Sequence, residues 1–312
     1  MTGTSSHGSR ILMCPPDYYG IEYEINAWMR RDRPVDKQAA AEQWNRLRQA
    51  LEAAGAVIEC VPPVAGLPDM VFTANAGLVY HQCVILSRFR PPQRRGEEAH
   101  FASWFADHGF QVSELPREMY FEGAGDALFC GETLIAGYRI RSNARSQQLL
   151  GDVLHCRVIP LELVDPYFYH LDTCFCPLAP GVALYFPAAF DDYGRRALAE
   201  AVAELIEIPA DEARNFAANA VVLGTTVVTN TGCPTVHRRL RDRGYHPVAT
   251  PLSEFVKAGG SAKCLTLRLD GEEAALWKVK AAVNAAGAAQ TAAPAGVKPA
   301  TKTNSADSSA AK

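Results

Sequence analysis

A cysteine and a distant histidine are the residues of this chain best suited to nucleophilic chemistry. Cys264 lies in GGSAKCLTLRL, where paired glycines lead into an apolar strand and bring the thiol to the mouth of that strand. His170 lies in YHLDTCFCPL, again just before an apolar strand, with Asp172 two residues on. A thiol and a histidine brought together by the fold are what thiol catalysis needs. The sequence therefore predicts that Cys264 is a nucleophile and His170 its acid and base.

Five polar residues open strand patterns at intervals of 45 to 51 residues. They are Asn75, Asp126, Asp172, Asn219 and Cys264. Each of the first four precedes two apolar runs joined by a tight connection, which is typical of a hairpin. The fifth precedes one run only, CLTLRL, and we expect the N-terminal run ILMC to pair with it. A period of this length indicates a repeat architecture, here a closed ring of five units.

Helical patterns lie between the hairpins. They cover residues 36–54, 94–108, 142–150, 193–205 and 235–243. Three of them are followed by a glycine, the residue typical of a helix C-terminus, at Gly55, Gly109 and Gly244. A ββαβ unit repeated around an axis would point the polar residue of every hairpin at a central cavity. A single Asn or Asp before a strand is commonly a turn residue, but five in step indicate a functional site.

Composition agrees with an ordinary globular protein. The chain has 312 residues, of which 48% are hydrophobic and 21% charged, enough for one substantial core. A formal net charge of −3 favours neither nucleic acid nor a membrane surface as partner. No apolar leader and no membrane-length apolar run appear, and nine cysteines without paired spacing favour reduced thiols. We therefore expect a cytoplasmic protein.

Three ordered motifs resemble the guanidine-modifying, or pentein, superfamily, which groups arginine deiminases, dimethylargininases and amidinotransferases. They are FEGAGDALF (121–129), YHLDT (169–173) and GGSAKC (259–264), similar to its Glu-Gly-Gly-Asp, His-Leu-Asp and C-terminal Cys segments. The resemblance covers about residues 10–270. It implies an α/β fold, a five-bladed α/β propeller of five ββαβ repeats around a pseudo-fivefold axis. FTANAG (72–77) and the opening segment 13–29 are most similar to the arginine dihydrolase branch.

The resemblance sets the expected catalytic domain and partner, whereas the residues themselves give the expectations for the segments outside 10–270. A flexible N-terminus (1–9) precedes the catalytic domain (10–270), and a terminal helix (271–287) precedes a disordered tail (288–312) that is rich in Ala, Ser, Thr, Lys and Pro. The expected partner is a small guanidino substrate, arginine or a methylated arginine. The chemistry requires no cofactor, and no metal-ligand spacing appears. Self-association is common in the superfamily and is expected here by analogy alone.

The resemblance also implies a role for each of five residues of the predicted site. Cys264 attacks the guanidinium carbon, and its pKa is lowered in part by the bound cation. His170 protonates the departing amine and then activates water against a covalent thiouronium intermediate. Glu122 orients His170 and favours its charged form. Asp126 and Asp172 hold the guanidinium by charge-assisted hydrogen bonds.

Two arginines and one asparagine are expected to contact the amino-acid end of the substrate. Arg94, in an Arg-Arg-Gly-Glu segment, and Arg141, in a Gly-x-x-x-Arg-Ser-Asn segment, match carboxylate-binding positions of the superfamily. Either can instead be a solvated surface arginine. The rivals in the same stretches are Arg88, Arg90 and Arg139. Asn26 resembles a substrate-contacting position of the dihydrolase branch, with an ordinary turn residue as the alternative.

Asn75 departs from arginine deiminases and dimethylargininases, which carry an Asp there. A carboxylate repels the oxygen of a ureido group, whereas a carboxamide has both donors and an acceptor. Asn75 therefore favours a dihydrolase, which converts arginine to ornithine, carbon dioxide and two ammonia. The alternative is that Asn75 merely weakens guanidinium binding and the reaction stops at citrulline.

Four other functions remain open from the sequence: an arginine deiminase, a dimethylargininase, an amidinotransferase and a non-catalytic binding module. A dimethylargininase needs room for methyl groups where Asp172 is expected to hold a nitrogen. An amidinotransferase would keep the thiol and histidine but pass the amidino group to an amine. A binding module would be expected to lack both Cys264 and His170.

Overall fold

The strands form five small sheets with one common design. In the computed structural model, which describes residues 8–276, each sheet has three strands. In every sheet the middle strand pairs antiparallel with one neighbour and parallel with the other. The parallel pair is joined through a helix, as a parallel connection requires. The predicted five ββαβ repeats are confirmed.

The strands are numbered along the chain. They are β1 (Arg10–Met13), β2 (Val57–Cys60), β3 (Gly77–Tyr80), β4 (Cys83–Leu86), β5 (Gln111–Ser113), β6 (Ala127–Cys130), β7 (Thr133–Tyr138), β8 (Arg157–Glu162), β9 (Phe175–Ala179), β10 (Val182–Tyr185), β11 (Glu204–Glu207), β12 (Val221–Leu223), β13 (Thr226–Asn230), β14 (His246–Thr250) and β15 (Leu267–Arg268). The helices are α1 (Lys37–Ala53), α2 (Glu97–Asp107), α3 (Ala144–Leu154), α4 (Asp192–Ala201), α5 (Ala210–Arg214), α6 (Pro234–Arg241) and α7 (Ser253–Val256).

The first and last strands close the ring. β1 pairs antiparallel with β15, with Ile11 opposite Arg268 and Leu12 opposite Leu267. On its other side β1 pairs parallel with β2 across α1. The predicted pairing of the N-terminal run with the strand after Cys264 is confirmed. Because Ile11 and Leu12 are fully buried, this closure is part of the core.

The first strand of a unit is buried and the last is exposed. All residues of β6 and β12 are buried, whereas β2 and β5 contain no buried residue. A short continuous apolar run is the sequence pattern of a strand covered on both faces. The strands that follow the polar grid residues therefore lie innermost, which brings the turns before them to the interior.

The helices largely follow their sequence patterns. α1 begins after Asp36, whose carboxylate accepts the N–H of Ala39 and caps the helix. Gly55, Gly109 and Gly244 have φ values of 91°, 81° and 81°, as expected just beyond a helix C-terminus.

Three predicted helix limits were wrong by three or more residues, and one of them is the end of α3, which lies at Leu154 and not at residue 150. α2 begins at Glu97, because Arg94 lies in a separate 3₁₀ turn, Pro92–Arg94. α4 ends at Ala201, because Leu205 pairs with Ala183 of β10 in a parallel ladder. At Leu205 a strand pairing outweighs helical periodicity.

The two ends of the chain lie partly outside the described residues. Residues 271–276, at the start of the predicted terminal helix, form turns, and Ala275 makes a bridge to Gly131. The rest of that helix, the predicted tail and residues 1–7 lie outside the described range. Within residues 8–276 no helix is long and apolar enough to cross a membrane.

Candidate active site

The five polar residues that recur along the sequence, here called the grid residues, lie in the turns that open the units, and all five are buried. They are Asn75, Asp126, Asp172, Asn219 and Cys264. None is more than 2% exposed. Polar groups buried this completely need hydrogen-bond partners. The five turns supply many of those partners to one another, so residues far apart in sequence form one connected site.

Asn219 holds the candidate nucleophile. Its Oδ1 accepts the backbone N–H groups of Cys264 and Ser261, at 3.0 and 3.1 Å. Its Nδ2 donates to Cys264 Sγ at 3.1 Å and to the Asp172 carbonyl at 3.0 Å. One side chain therefore fixes the loop before β15, the thiol and the turn before β9. Sequence analysis placed Asn219 on the grid but assigned it no role.

Paired glycines allow the loop that carries the thiol (259–264, here called the thiol loop) to pack closely against neighbouring aromatic rings. A Cβ on Gly260 would lie 2.5 Å from the Phe72 ring, and one on Gly259 would lie 2.9 Å from the rings of Trp28 and Tyr169. Gly259 also has a φ of 85°, which favours glycine. The GG of the motif is therefore required by close packing around the site.

Cys264 and Asp172 are in direct contact. The thiol lies 3.3 Å from Asp172 Oδ2, while Oδ1 of this carboxyl has no hydrogen-bond partner among the described residues. Burial and, less strongly, the neighbouring Asp172 raise the pKa of Cys264 well above its usual value. Burial also raises the pKa of Asp172 to about 7, partly offset by Cys264 and Lys263. Without a bound cation the Cys264 thiol therefore keeps its proton at neutral pH, whereas the Asp172 carboxyl ionises only as the pH rises through about 7.

Glu122 holds His170 by its ring. His170 Nε2 lies 2.7 Å from Glu122 Oε2, and Arg141 Nη1 donates to the same oxygen at 2.9 Å. Burial alone would raise the pKa of Glu122, but Arg141, His170 and Arg94 outweigh it and hold this pKa well below its usual range. Because an ionised carboxylate only accepts hydrogen bonds, Nε2 carries the proton. Nδ1 is buried without a partner among the described residues and is the nitrogen left for proton transfer.

Asp126 lies between the histidine and the glutamate segments. Its Oδ1 accepts the N–H of Leu171 at 3.1 Å, and its Oδ2 accepts the Ser142 hydroxyl at 2.6 Å. Ser142 Oγ in turn accepts the N–H of Glu122 at 3.0 Å. Burial raises the pKa of Asp126 to about 6, although His170 and Ser142 act against it. This carboxylate is therefore positioned for a cation and is costly to ionise in the empty site.

Asn75 lies against Arg94. Arg94 Nη1 donates to Asn75 Oδ1 at 2.9 Å, and Asn75 Nδ2 donates to the Glu122 carbonyl at 3.1 Å. Arg94 is itself held by two hydrogen bonds of 2.8 Å to Glu97 and one of 3.1 Å to the carbonyl of Asp69. All five side chains are buried.

The predicted arginines differ from their rivals in location. Arg94 and Arg141 are buried beside Asn75 and Glu122, whereas Arg139 pairs with Glu162 at the surface. The side chains of the other two rivals point away from the substrate groups: Arg88 pairs with Glu114, and Arg90 Nε donates to the Arg141 carbonyl, although the Arg90 backbone N–H donates to Glu122 Oε1 at 3.2 Å. Binding of a substrate carboxylate by Arg94 and Arg141 stays a prediction.

Asn26 lies in a segment that is tied to the site. Its Oδ1 accepts the N–H groups of Trp28 and Met29, and its Nδ2 donates to the Ala258 carbonyl. Arg141 Nη2 donates to the Ile25 carbonyl of the same segment at 2.9 Å. In this structure Asn26 orders a turn, and direct contact with substrate stays a prediction.

Trp28 attaches the same segment to a second loop. Its Nε1 donates to the Tyr167 carbonyl at 2.7 Å, and the two rings meet edge to face at 5.3 Å. The Arg214 guanidinium lies 3.8 Å from the centre of the Tyr167 ring. These contacts hold the segment beside the thiol loop.

Sequence reasoning missed four residues that contact the site. Asp69 lies outside every motif, whereas Glu97 is the last residue of the Arg-Arg-Gly-Glu segment but was assigned no contact. Ser142 was present in the Arg-Ser-Asn segment, and Gly125 in the FEGAGD motif, yet neither was assigned a contact. The contacts of Asp69, Glu97 and Ser142 depend on the directions of their side chains, and the role of Gly125 depends on the space beside it. Only packing determines either.

Comparison with known proteins identifies the family. Residues 16–270 match the family model described as "N,N dimethylarginine dimethylhydrolase, eukaryotic". The chain is 47% identical over 265 residues to the bifunctional arginine dihydrolase/ornithine cyclodeaminase ArgZ of Synechocystis sp., covering 83% of this chain. The match spans only 37% of that relative. The chain is also 38% identical over 260 residues to the N(G),N(G)-dimethylarginine dimethylaminohydrolase of Mycobacterium tuberculosis. That match covers 83% of this chain and 85% of the M. tuberculosis protein.

A solved structure agrees with the sequence comparison. The N-terminal domain of ArgZ, a cyanobacterial arginine dihydrolase, was crystallised as a cysteine-to-serine variant bound to substrate. It aligns with a TM-score of 0.82 at 45% identity and covers 85% of this chain and 99% of that one. The chain therefore belongs to the N,N-dimethylarginine dimethylhydrolase family, within the guanidine-modifying superfamily.

Proposed function

We propose that this chain is a cysteine-dependent arginine dihydrolase, which releases ornithine, carbon dioxide and two ammonia from arginine. The observation that carries the proposal is the composition of the buried site. It joins a thiol, a histidine held by an ionised glutamate and two further carboxyls, with the carboxamide of Asn75 bonded to the glutamate backbone. The relatives named above as arginine dihydrolases support it.

The two carboxyls with raised pKa form the cation site. Asp172 and Asp126 are fully buried, so water does not stabilise their ionised forms. A guanidinium placed against them provides a positive charge that does. Binding of arginine then favours the ionised form of both carboxyls, and near neutral pH it releases a proton mainly from Asp172, whose pKa is about 7. The same cation lowers the pKa of Cys264, so the thiolate forms when substrate is in place.

The amino-acid end of the substrate is assigned to charged groups beside Asn75. Arg94 and Arg141 receive the carboxylate with guanidinium hydrogens beyond those that they donate to Asn75, Glu97 and Glu122, because a guanidinium has five N–H donors. Asp69 is buried, and its Oδ1 lacks a partner among the described residues. It therefore suits the α-ammonium group, because a buried carboxylate gains most from a cation.

The reaction proceeds through two similar cycles. In the first, the Cys264 thiolate bonds to the guanidinium carbon, and one nitrogen leaves as ammonia with a proton from His170. Water activated by His170 adds to the thiouronium carbon, the C–S bond breaks and citrulline results. In the second, the thiolate attacks the ureido carbon, the second ammonia leaves, and water releases a carbamate. The carbamate loses carbon dioxide to give ornithine, so one arginine consumes two waters.

The test follows arginine labelled in the guanidino carbon. Wild-type protein is expected to convert the label to carbon dioxide with ornithine and two ammonia per arginine. Cys264→Ser should abolish turnover, whereas Cys60→Ser, a change at an exposed thiol, should not. Label that accumulates in citrulline with one ammonia would show a deiminase, and turnover retained by Cys264→Ser would refute the thiol mechanism.

A second candidate function is the hydrolysis of dimethylarginine, favoured by the family model and by the M. tuberculosis relative. The same assay with dimethylarginine distinguishes it, because methylated amine then replaces the first ammonia. A higher kcat/KM for dimethylarginine than for arginine would make this the principal activity.

The location and assembly of the chain also belong to this proposal. All nine cysteines are free thiols, which supports the expected cytoplasmic location. Self-association stays a prediction, and light scattering of the purified chain measures it.

A further inference from the structure

We infer that Arg94 and Glu97 hold the Asn75 carboxamide with its nitrogen end towards the reaction site, and that this orientation commits the enzyme to the second hydrolysis. The inference rests on the proposed dihydrolase function and goes beyond it. It assigns Glu97 as a positioning residue and Gly125 as the residue that admits the carboxamide.

Two contacts determine the orientation of the carboxamide independently. A guanidinium has only donors, so the Asn75 atom 2.9 Å from Arg94 Nη1 is oxygen. A carbonyl has only lone pairs, so the atom 3.1 Å from the Glu122 carbonyl oxygen is nitrogen. A flipped amide would oppose like groups at both contacts. The two ends of Asn75 are therefore distinguished by chemistry, which atomic positions alone do not do for an amide.

Arg94 cannot easily follow a moving Asn75. Its Nε and Nη2 bind the two oxygens of Glu97, both at 2.8 Å, and its guanidinium lies 4.3 Å from the centre of the Phe89 ring. The paired side chains are 3% and 0% exposed. A two-point arginine–carboxylate contact fixes the plane of the guanidinium as well as its position. Glu97 therefore sets the direction of the hydrogen bond that reaches Asn75.

Gly125 admits the nitrogen end of the carboxamide. A Cβ built on Gly125 would lie 2.3 Å from Asn75 Nδ2 and 3.4 Å from Cγ of His170. One added methyl group would thus touch both the amide nitrogen and the catalytic imidazole. The nitrogen end of Asn75 therefore lies on the His170 side, and only glycine leaves it that space.

The consequence for catalysis follows from which atoms remain available. Arg94 occupies the oxygen of Asn75, so the carboxamide offers the site a donor. The guanidinium of arginine consists of donors and gains nothing from another donor. The ureido oxygen of citrulline is an acceptor, and it becomes more negative as the thiolate attacks its carbon, so a preset donor stabilises that step. The orientation thus favours the second cycle over the first.

The experiment measures how consumed arginine partitions between products in Glu97→Gln. Glutamine keeps the shape of the side chain but places an NH₂ against the Arg94 guanidinium, which breaks the two-point contact. The ratio of citrulline to ornithine is expected to rise roughly tenfold or more, the effect of losing one charge-assisted hydrogen bond. The matched control is Glu118→Gln, the same change at an exposed residue. This control should keep the wild-type ratio.

Two kcat values separate positioning from weaker binding of the amino-acid end. A role of Arg94 limited to carboxylate binding would speed the release of citrulline and raise the ratio too, but it would raise KM for arginine and for citrulline and leave both kcat values near wild type. Positioning of Asn75 instead predicts that kcat with saturating citrulline falls well beyond kcat for arginine consumption. If Glu97→Gln consumes arginine with the wild-type ratio, the inference is overturned. If Glu97→Gln does not fold, Gly125→Ala decides, because it displaces the same nitrogen without touching the ion pair, and an unchanged ratio there overturns the inference. A wild-type protein that stops at citrulline would instead refute the proposed function, and this inference with it.

Discussion

Asp172→Asn is expected to stabilise the empty protein while it abolishes turnover. Asp172 is fully buried, its Oδ1 has no partner among the described residues, and burial raises its pKa to about 7. Asparagine resembles the neutral acid: its oxygen can accept the hydrogen bond from Cys264, and its NH₂ replaces the oxygen that is already unpartnered. The variant therefore removes an ionisation that folding opposes.

The magnitude follows from the shift in pKa. The pKa rises from 3.8 in the unfolded chain to about 7 in the folded one, and each unit is worth 1.36 kcal/mol. An acid with a raised pKa contributes stability that is fully present below pH 3.8 and is lost as the pH rises through about 7. Wild-type protein should therefore lose on the order of 4 kcal/mol across this window through Asp172. Asp172→Asn should not show that loss.

The assay is urea unfolding of both proteins between about pH 4 and pH 8, without substrate. The variant should be more stable by up to about 4 kcal/mol at the upper limit, and the difference should fall towards zero at the lower one. Asp152→Asn, at an exposed position on α3, is the control and should show no such trend. Equal stability at pH 8, or a difference independent of pH, would refute the assignment of Asp172 as a carboxyl that is costly to ionise.

Two further predictions concern the same site. kcat/KM for arginine should fall as the pH drops below about 7, because protonated Asp172 and Asp126, with pKa values of about 7 and about 6, no longer attract a cation; a flat profile between about pH 5 and pH 7 would contradict this. Asn219→Asp should lower kcat by roughly a hundredfold, because it keeps the acceptor for the Cys264 N–H but turns a carboxyl oxygen towards the thiol where the amide donated; as a further buried carboxyl it should also lower the free energy of unfolding, most of all above neutral pH. Unchanged kcat in Asn219→Asp, with circular dichroism as the check on folding, would show that the Asn219–thiol contact plays no part.

The architecture was predictable because it repeats. The grid of five polar residues and the hairpins behind it indicated five units, and the single run after Cys264 required a partner that only the N-terminal run could supply. The observed pairing of Ile11 with Arg268 has this origin. The errors fell at helix ends, as at Leu205, where a strand pairing outweighed a helical pattern. The periodicity of a local segment contains no information about a contact that the segment makes with a distant part of the chain.

The sequence by itself determined which chemical groups enter the site, since a residue on the grid must reach the interior of the ring whatever its partners are. Cys264 and Asn75, which belong to the five, and His170, two residues before Asp172, could thus be assigned before any contact was known. Only the tertiary structure decided how those groups are paired: that Asn219 binds the thiol and that Arg94 directs the Asn75 amide. It also decided which carboxyls are ionised, because that depends on burial and on the charges of neighbouring units. These properties arise where separate repeats meet, and no single segment of the sequence contains them.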